Sequence, residues 1–238
     1  MAGLPWLDPF SIDFPPAHNA LEEPNGLLAA GGDLSTERLI RAYRSGIFPW
    51  FEDDQPILWW SPDPRAVIFP ADLKISRSLR KTLKKQIFKV TVDTVFADVI
   101  EACSGPRRKS NGTWITAGMK EAYIDLHDRG IAHSIEVWQG NDLVGGLYGL
   151  SFGKLYFGES MFSHVTDASK VAFVYLVKTL EKYGFPFVDC QVPNDHLTSL
   201  GASEISREEY LAYLDKYLDS PLDRLHSPWH NHWELEAL

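Results

Sequence analysis

Leu143-Val-Gly-Gly-Leu-Tyr-Gly-Leu-Ser-Phe-Gly-Lys-Leu-Tyr-Phe-Gly-Glu-Ser-Met-Phe-Ser-His-Val-Thr-Asp-Ala-Ser-Lys170 is the stretch on which the rest of the chain turns. Residues 143–150 and 155–157 are apolar and aromatic, and Ser151, Phe152 and Gly153 supply the turn, so two strands meet in a hairpin. Asp167 stands where an N-cap stands, ahead of a helical run over residues 168–183. Glycine weakens a strand and marks a bulge or the close approach of a backbone or ligand. Gly145, Gly146, Gly149 and Gly158 lie in or beside these strands, and Glu159 follows at the end of the second. A carboxylate, a glycine-lined strand pair and a helix N-terminus converge here, which favours a site over a plain hairpin feeding a helix.

Working outward, strands and helices alternate from Arg65 onward. Upstream, residues 66–69 read as a strand, Ser76 caps a helix reaching Lys85, and residues 88–92 alternate as a half-buried strand does. Residues 94–103 are helical and 105–112 a polar loop. Thr116 caps a helix with Met119, Ala122, Tyr123 and Leu126 on one face, and residues 134–138 form a strand. Downstream come a strand at 185–191 and a short helix at 194–200. Ser206 and Glu209 then form a capping box for a last helix. The Pro- and His-rich tail from Ser220 reads as poorly ordered. Residues 1–34 are rich in Pro, Gly and Asn, with few periodic signals. Ser35 then caps a helix with Leu39, Ile40 and Tyr43 on its apolar face. Proline-flanked aromatics fill residues 48–60, and the boundary falls near Ser61-Pro62. The expected architecture is α+β, with a small N-terminal domain over residues 1–61 and a mixed α/β domain over 62–238.

A length of 238 residues suits one large domain, or a small one with a medium one. The net charge of −9 argues against a general nucleic-acid binder, so any such site must be a local basic patch. Two cysteines, Cys103 and Cys190, make no disulfide framework and fit a reducing compartment. Neither a signal-peptide pattern nor an apolar run of membrane-spanning length is present.

Three constellations carry chemistry. Asp189 and Gln191 end an apolar strand, and an i, i+2 pair points to one face, where a carboxylate can orient an amide. A polar strand end facing solvent is the plain alternative. Arg77, Arg80, Lys81, Lys84 and Lys85 share one helix face that no acidic residue interrupts. On an acidic chain this is either a phosphate-binding strip or a solvated face. Trp50, Phe51, Trp59, Trp60 and Trp114 offer stacking surface, though core packing accounts for some of them. His226, His230 and His232 have no matching Cys or carboxylate frame, so a solvated tail is the better reading and no metal site is expected.

Taken together, Glu23-Pro-Asn-Gly-Leu-Leu28, Gly31-Gly-Asp-Leu34, Gly46-Ile-Phe-Pro-Trp-Phe51, Trp59-Trp-Ser-Pro-Asp-Pro-Arg65, Gly112-Thr-Trp-Ile-Thr116, His133-Ser-Ile-Glu-Val-Trp138, Gly158-Glu-Ser-Met-Phe-Ser163, Asp189-Cys-Gln191 and Ser199-Leu-Gly-Ala202 resemble the bacterial leucyl/phenylalanyl-tRNA–protein transferases. The likeness runs in order from about Leu21 to Tyr217. It implies a GNAT-like (acetyltransferase superfamily) C-terminal domain. It also implies a cytoplasmic enzyme that moves Leu or Phe, and Met less well, from aminoacyl-tRNA to acceptor proteins beginning with Lys or Arg. The product enters the N-degron pathway. The resemblance implies no cofactor and no acetyl-CoA, in keeping with the missing pyrophosphate loop before the helix at Asp167.

The resemblance further implies catalytic roles for Asp189, Gln191 and Glu159. Asp189 orients Gln191, whether or not it also accepts a proton, and Glu159 holds the amino group or the acceptor's basic end. Trp50 and Trp114 would contact the terminal adenosine. Leu147, Tyr156, Met161, Leu176, Leu180 and Val188 would form the side-chain pocket, refusing residues branched at Cβ. Leu176 and Leu180 fit independently, as i, i+4 neighbours on one helix face. The basic face from Arg77 to Lys85 would bind tRNA. A CoA-dependent N-acyltransferase and a non-catalytic tRNA-binding module are the rivals, separable by labelled acetyl-CoA and by Asp189→Ala with Gln191→Ala.

Overall fold

The structure is a computed structural model describing residues 3–105, 115–222 and 227–229. A small sheet opens the chain, from β1 (Trp6–Leu7), β2 (Leu27–Gly31), helix α1 (Thr36–Arg44), β3 (Phe48–Pro49) and β4 (Leu58–Trp60), in the order β1-β2-β4-β3. There follow β5 (Arg65–Ile68), α2 (Arg77–Lys84), β6 (Lys89–Val92), α3 (Phe96–Ser104), α4 (Ala117–Asp128), β7 (Ala132–Gln139), β8 (Asp142–Phe152) and β9 (Leu155–Ser163). The chain continues through α5 (Ala168–Lys182), β10 (Val188–Gln191), α6 (Asp195–Ser199), β11 (Ser203–Ile205) and α7 (Arg207–Tyr217). The large sheet has the order β11-β5-β10-β9-β8-β7-β6 and is antiparallel except between β9 and β10. This is the expected α+β class, a small N-terminal part followed by a mixed α/β domain.

Alternation along the central hairpin divides the core. Tyr148 and Phe157 join the apolar cluster that also holds Phe96, Tyr123 and Tyr210, whereas Leu147 and Tyr156 join the one built on α5. The first cluster also takes in Leu28, Tyr43 and Trp59, so one core runs under both sheets. Among the described residues no helix is long and apolar enough to cross a membrane.

Most caps are those expected. The Ser76, Thr116 and Ser206 hydroxyls accept from the N–H of Leu79, Met119 and Glu209. Two differ. Ser35 makes no side-chain cap, and instead its N–H donates to Asp33 Oδ1 at 2.8 Å. Asp167 caps α5 by position only: its φ is +70°, and its Oδ2 accepts from Thr82 Oγ1 at 2.8 Å, tying α2 to α5. Residues 1–34 contain two strands that the sequence pattern missed. Leu28, Ala29 and Ala30 on β2 are all buried, so no alternation marks them. The hairpin turn also slips, since β8 includes Ser151 and Phe152 and β9 runs on through Glu159 to Ser163. The tail differs as well, because Ser227 is buried and Trp229 stacks on His133.

Candidate active site

The site forms where β9 and β10 part. Their parallel pairing runs through Val188–Tyr156 and Asp189–Phe157. Beyond it each strand carries one extra residue. Between β8 and β9 the register jumps from Gly149–Gly158 to Tyr148–Ser160, leaving Glu159 unmatched. Between β5 and β10 it jumps from Val67–Asp189 to Ala66–Gln191, leaving Cys190 unmatched, and Gln191 adopts φ +63°. Bulges bend a strand and re-aim its side chains. Here they bring Gln191 Nε2 to Glu159 Oε1 at 2.7 Å.

The same bulge corrects one expectation, that Asp189 orients the Gln191 side-chain amide from the same strand face. Asp189 Oδ1 accepts the main-chain N–H of Gln191 at 2.8 Å, and Glu159 holds the side-chain amide. The Asp189 carboxylate is otherwise occupied. Arg65 Nε and Nη2 donate to its two oxygens at 2.9 and 2.7 Å, and Tyr210 Oη donates at 2.8 Å. The pair is about 1% exposed on both sides. The guanidinium lies 4.7 Å from the Phe48 ring and 4.6 Å from that of Tyr210. Burial alone would lower its pKa, but the Asp189 carboxylate outweighs this and holds it above the usual arginine value. A buried pair of this kind is costly to desolvate, and removing one member strands the other charge. Sequence reasoning missed Arg65, which lies 124 residues from Asp189 along the chain.

Glu159 sits under two tyrosines that were also missed. Tyr43 Oη donates to Oε1 at 2.7 Å, Tyr123 Oη to Oε2 at 3.1 Å, and the two hydroxyls lie 2.5 Å apart. Three oxygen groups thus share three contacts. Two hydroxyl protons fill two of them; with a proton on Glu159 the carboxyl donates to one tyrosine, which turns its own proton to the other, and the ring closes. Burial pushes the Glu159 carboxyl up to about 8, the nearby Asp189 adding to the rise while the tyrosine and Gln191 hydrogen bonds oppose it. Burial, with Glu159 beside them, likewise raises both tyrosine hydroxyls.

Glu159, Asp189 and Gln191 edge a cavity of about 490 Å³. Leu147, Tyr156, Met161, Leu176 and Val188 line it, with Phe173 in addition. Leu180 does not: it is fully buried in the core one turn further along α5, so the cavity-facing pair on that helix is Phe173 and Leu176, i and i+3. Cys190, Asn194, His196 and Leu197 also line the cavity. The last three are on or beside α6, and only their nearness to Gln191 in the chain could have flagged them. Burial raises the Cys190 thiol pKa, and burial together with Lys170 lowers that of His196.

Trp50 stands at the same cavity, 45% exposed, its ring 5.6 Å from that of Trp60. Trp59 is fully buried core, its indole N–H donating to the Gly31 carbonyl at 2.9 Å. Trp114, and the tail residues His226, His230 and His232, lie outside the described residues. Among the described residues no group of three His, Cys, Asp or Glu side chains could hold a metal ion. On α2, Leu79 is buried, while Arg77, Arg80, Lys81, Lys84 and Lys85 are all exposed.

Sequence comparison adds an independent line. Residues 67–215 match the family model of the leucyl/phenylalanyl-tRNA protein transferases, and residues 32–63 match that of their N-terminal domain. The leucyl/phenylalanyl-tRNA–protein transferase of Ectopseudomonas mendocina (strain ymp) is 61% identical over 218 residues, covering 92% of this chain and 96% of the relative. That of Cellvibrio japonicus (strain Ueda107) is 57% identical over 228 residues, covering 95% and 96%. Among solved structures, L-PGS from Bacillus licheniformis is similar at TM-score 0.39, with 12% identity over 67% of this chain and 51% of that one. A GCN5-related N-acetyltransferase-like protein from Streptococcus suis gives TM-score 0.30, with 13% identity over 68% and 60%. Likenesses that slight carry no argument.

Proposed function

The chain belongs to the leucyl/phenylalanyl-tRNA–protein transferase family, an aminoacyltransferase acting between aminoacyl-tRNA and protein acceptors, and from that premise we propose how this site carries out the transfer. The acceptors begin with Lys or Arg, Met is carried less well than Leu or Phe, and the product is marked for N-degron degradation in the cytoplasm. Acetyl-CoA takes no part. The observation that carries the reading is the junction of an apolar cavity with the Gln191–Glu159 pair at its polar edge.

The Leu or Phe side chain fills the cavity between Leu147, Met161, Phe173, Leu176 and Val188. Trp50, at the cavity, stacks on the terminal adenosine. Because Glu159 takes the Gln191 amide N–H, the amide oxygen is left for the N–H of the incoming amine. An α-ammonium has a pKa near 7.7–8.0, close to that of the Glu159 carboxyl. Ionised Glu159 takes one proton from the ammonium and closes the three-proton ring with Tyr43 and Tyr123. The neutral amine attacks the ester carbonyl, a C–N bond forms, and the C–O bond to the ribose breaks. The amine's second proton leaves with the ribose hydroxyl. Asp189 acts by position, since Arg65 and Tyr210 saturate its carboxylate. Once the ester is activated and aligned, orientation supplies much of the rate. Incubation with charged Leu-tRNA or Phe-tRNA and a peptide beginning with Arg tests the reading. N-terminally extended peptide is expected, and its absence, or equal transfer from Val-tRNA, defeats it.

A further inference from the structure

Tyr156 is a wall of the amino-acid cavity that leans on the C-terminal segment. Its ring lies across β8 over Gly149, where a Cβ would sit 2.7 Å from Tyr156 Cζ. Its hydroxyl reaches the His133 carbonyl on β7 at 3.5 Å. Behind it stands Trp229, whose ring centroid is 5.5 Å from that of Tyr156 at 30° and 4.1 Å from that of His133 at 5°. His133 is itself fixed, its Nδ1 lying 2.7 Å from Asp93 Oδ2, while Asp93 Oδ1 accepts the Ser134 N–H at 2.8 Å. On the far side lies a second cavity of about 500 Å³, lined by His133 and Trp229 together with Asp93, His127, Arg129 and Ser151. Tyr156, Trp229 and His133 therefore form a partition between two cavities of similar size. Trp229 also lies beyond residue 215, where the match to the family model stops.

We propose that Trp229 is a specificity-determining residue, acting through Tyr156: by holding that ring as the floor of the amino-acid cavity it limits the length of side chain that can be transferred. This rests on the assignment of the first cavity to the transferred amino acid. An aromatic ring held on both faces has no room to swing, since cores are packed without spare volume. Without Trp229, Tyr156 can retreat towards the second cavity and deepen the first.

The test compares adenosine esters of leucine and 2-naphthylalanine as minimal donors, with an Arg-initiated peptide as acceptor. In Trp229→Ala the naphthylalanine-to-leucine ratio of kcat/KM is expected to rise at least about tenfold, the low end of what a methylene-sized change in an apolar pocket is worth. Trp229→Phe, which keeps a ring on Tyr156, is expected to stay near the parent ratio. A ratio within about twofold of the parent in Trp229→Ala overturns the proposal. If Trp229→Ala does not fold, Trp229→Leu takes its place under the same criterion. The same ratio is also read from binding of the non-hydrolysable 3′-amido adenosine analogues. Failure of transfer in the parent protein thus counts against the proposed reaction, while an unchanged binding ratio counts against the role of Trp229.

Discussion

At the scale of single residues, the site depends on two carboxyls with opposite surroundings. Asp189 is paired with Arg65, and Asp189→Ala leaves that guanidinium buried without its partner. The expected loss is about 3–5 kcal/mol of stability, read as a fall in the urea midpoint. At a temperature where the variant stays folded, kcat falls far more than affinity for charged tRNA, because the Gln191 backbone loses its anchor. Equal losses in both would remove the positioning role. Glu159 is the opposite case, with burial raising its carboxyl from 4.5 to about 8. A raised folded-state value means that stability is fully present below about pH 4.5 and is lost as pH rises through about 8. Glu159→Gln cannot titrate, so its stability relative to the parent is expected to improve from pH 4.5 to 8 and then level off, as thermal melts across that range would show. In the parent, kcat rises with pH through about 8 as the carboxyl ionises to accept the ammonium proton. A pH–rate profile of Glu159→Gln that parallels the parent's would exclude Glu159 as proton acceptor.

At the scale of elements, α2 is built to be wet on one side. Leu79 is buried and Leu83 half-buried, while Arg77, Arg80, Lys81, Lys84 and Lys85 all face solvent. We propose that this strip holds phosphates without reading bases, as backbone contacts position without specifying. Changing Lys81, Lys84 and Lys85 together to Glu is expected to raise KM for charged tRNA and to flatten its salt dependence, since fewer counterions are released. Transfer from an aminoacyl adenosine, too small to reach α2, stays nearly unchanged. Equal damage to both donors would make the helix structural only.

At the scale of the whole molecule, the small sheet and the large one share an apolar core, and the site draws on both. Tyr43 on α1 binds Glu159, and the Gly46 carbonyl accepts from Arg65 Nη1 at 3.3 Å. Residues 62–238 expressed alone should therefore show a lowered melting temperature and no measurable transfer. The full chain should melt in one transition, coincident by circular dichroism and tryptophan fluorescence. Two separated transitions would mean that the N-terminal part is an independent unit.

What the sequence determined by itself was carried by local periodicity and end chemistry. The existence of the hairpin after Leu143 and the helices capped by Ser76, Thr116 and Ser206 were legible because one strand or helix face repeats along a single stretch of chain, whereas the cavity lining was expected from the family resemblance. The ordered motifs likewise pointed to the family. The tertiary structure decided the rest. A bulge is a mismatch between two strands, so neither the re-aiming of Glu159 nor the left-handed turn at Gln191 leaves a mark in the alternation of one strand. Arg65, Tyr43 and Tyr123 reach the site from 124, 116 and 36 residues away from the carboxyls they bind. Leu180 and Phe173 exchange places for a similar reason. Helical spacing tells which residues share a face, but how far along α5 the cavity reaches decides which of them line it, and it takes in Phe173 and Leu176 but not Leu180.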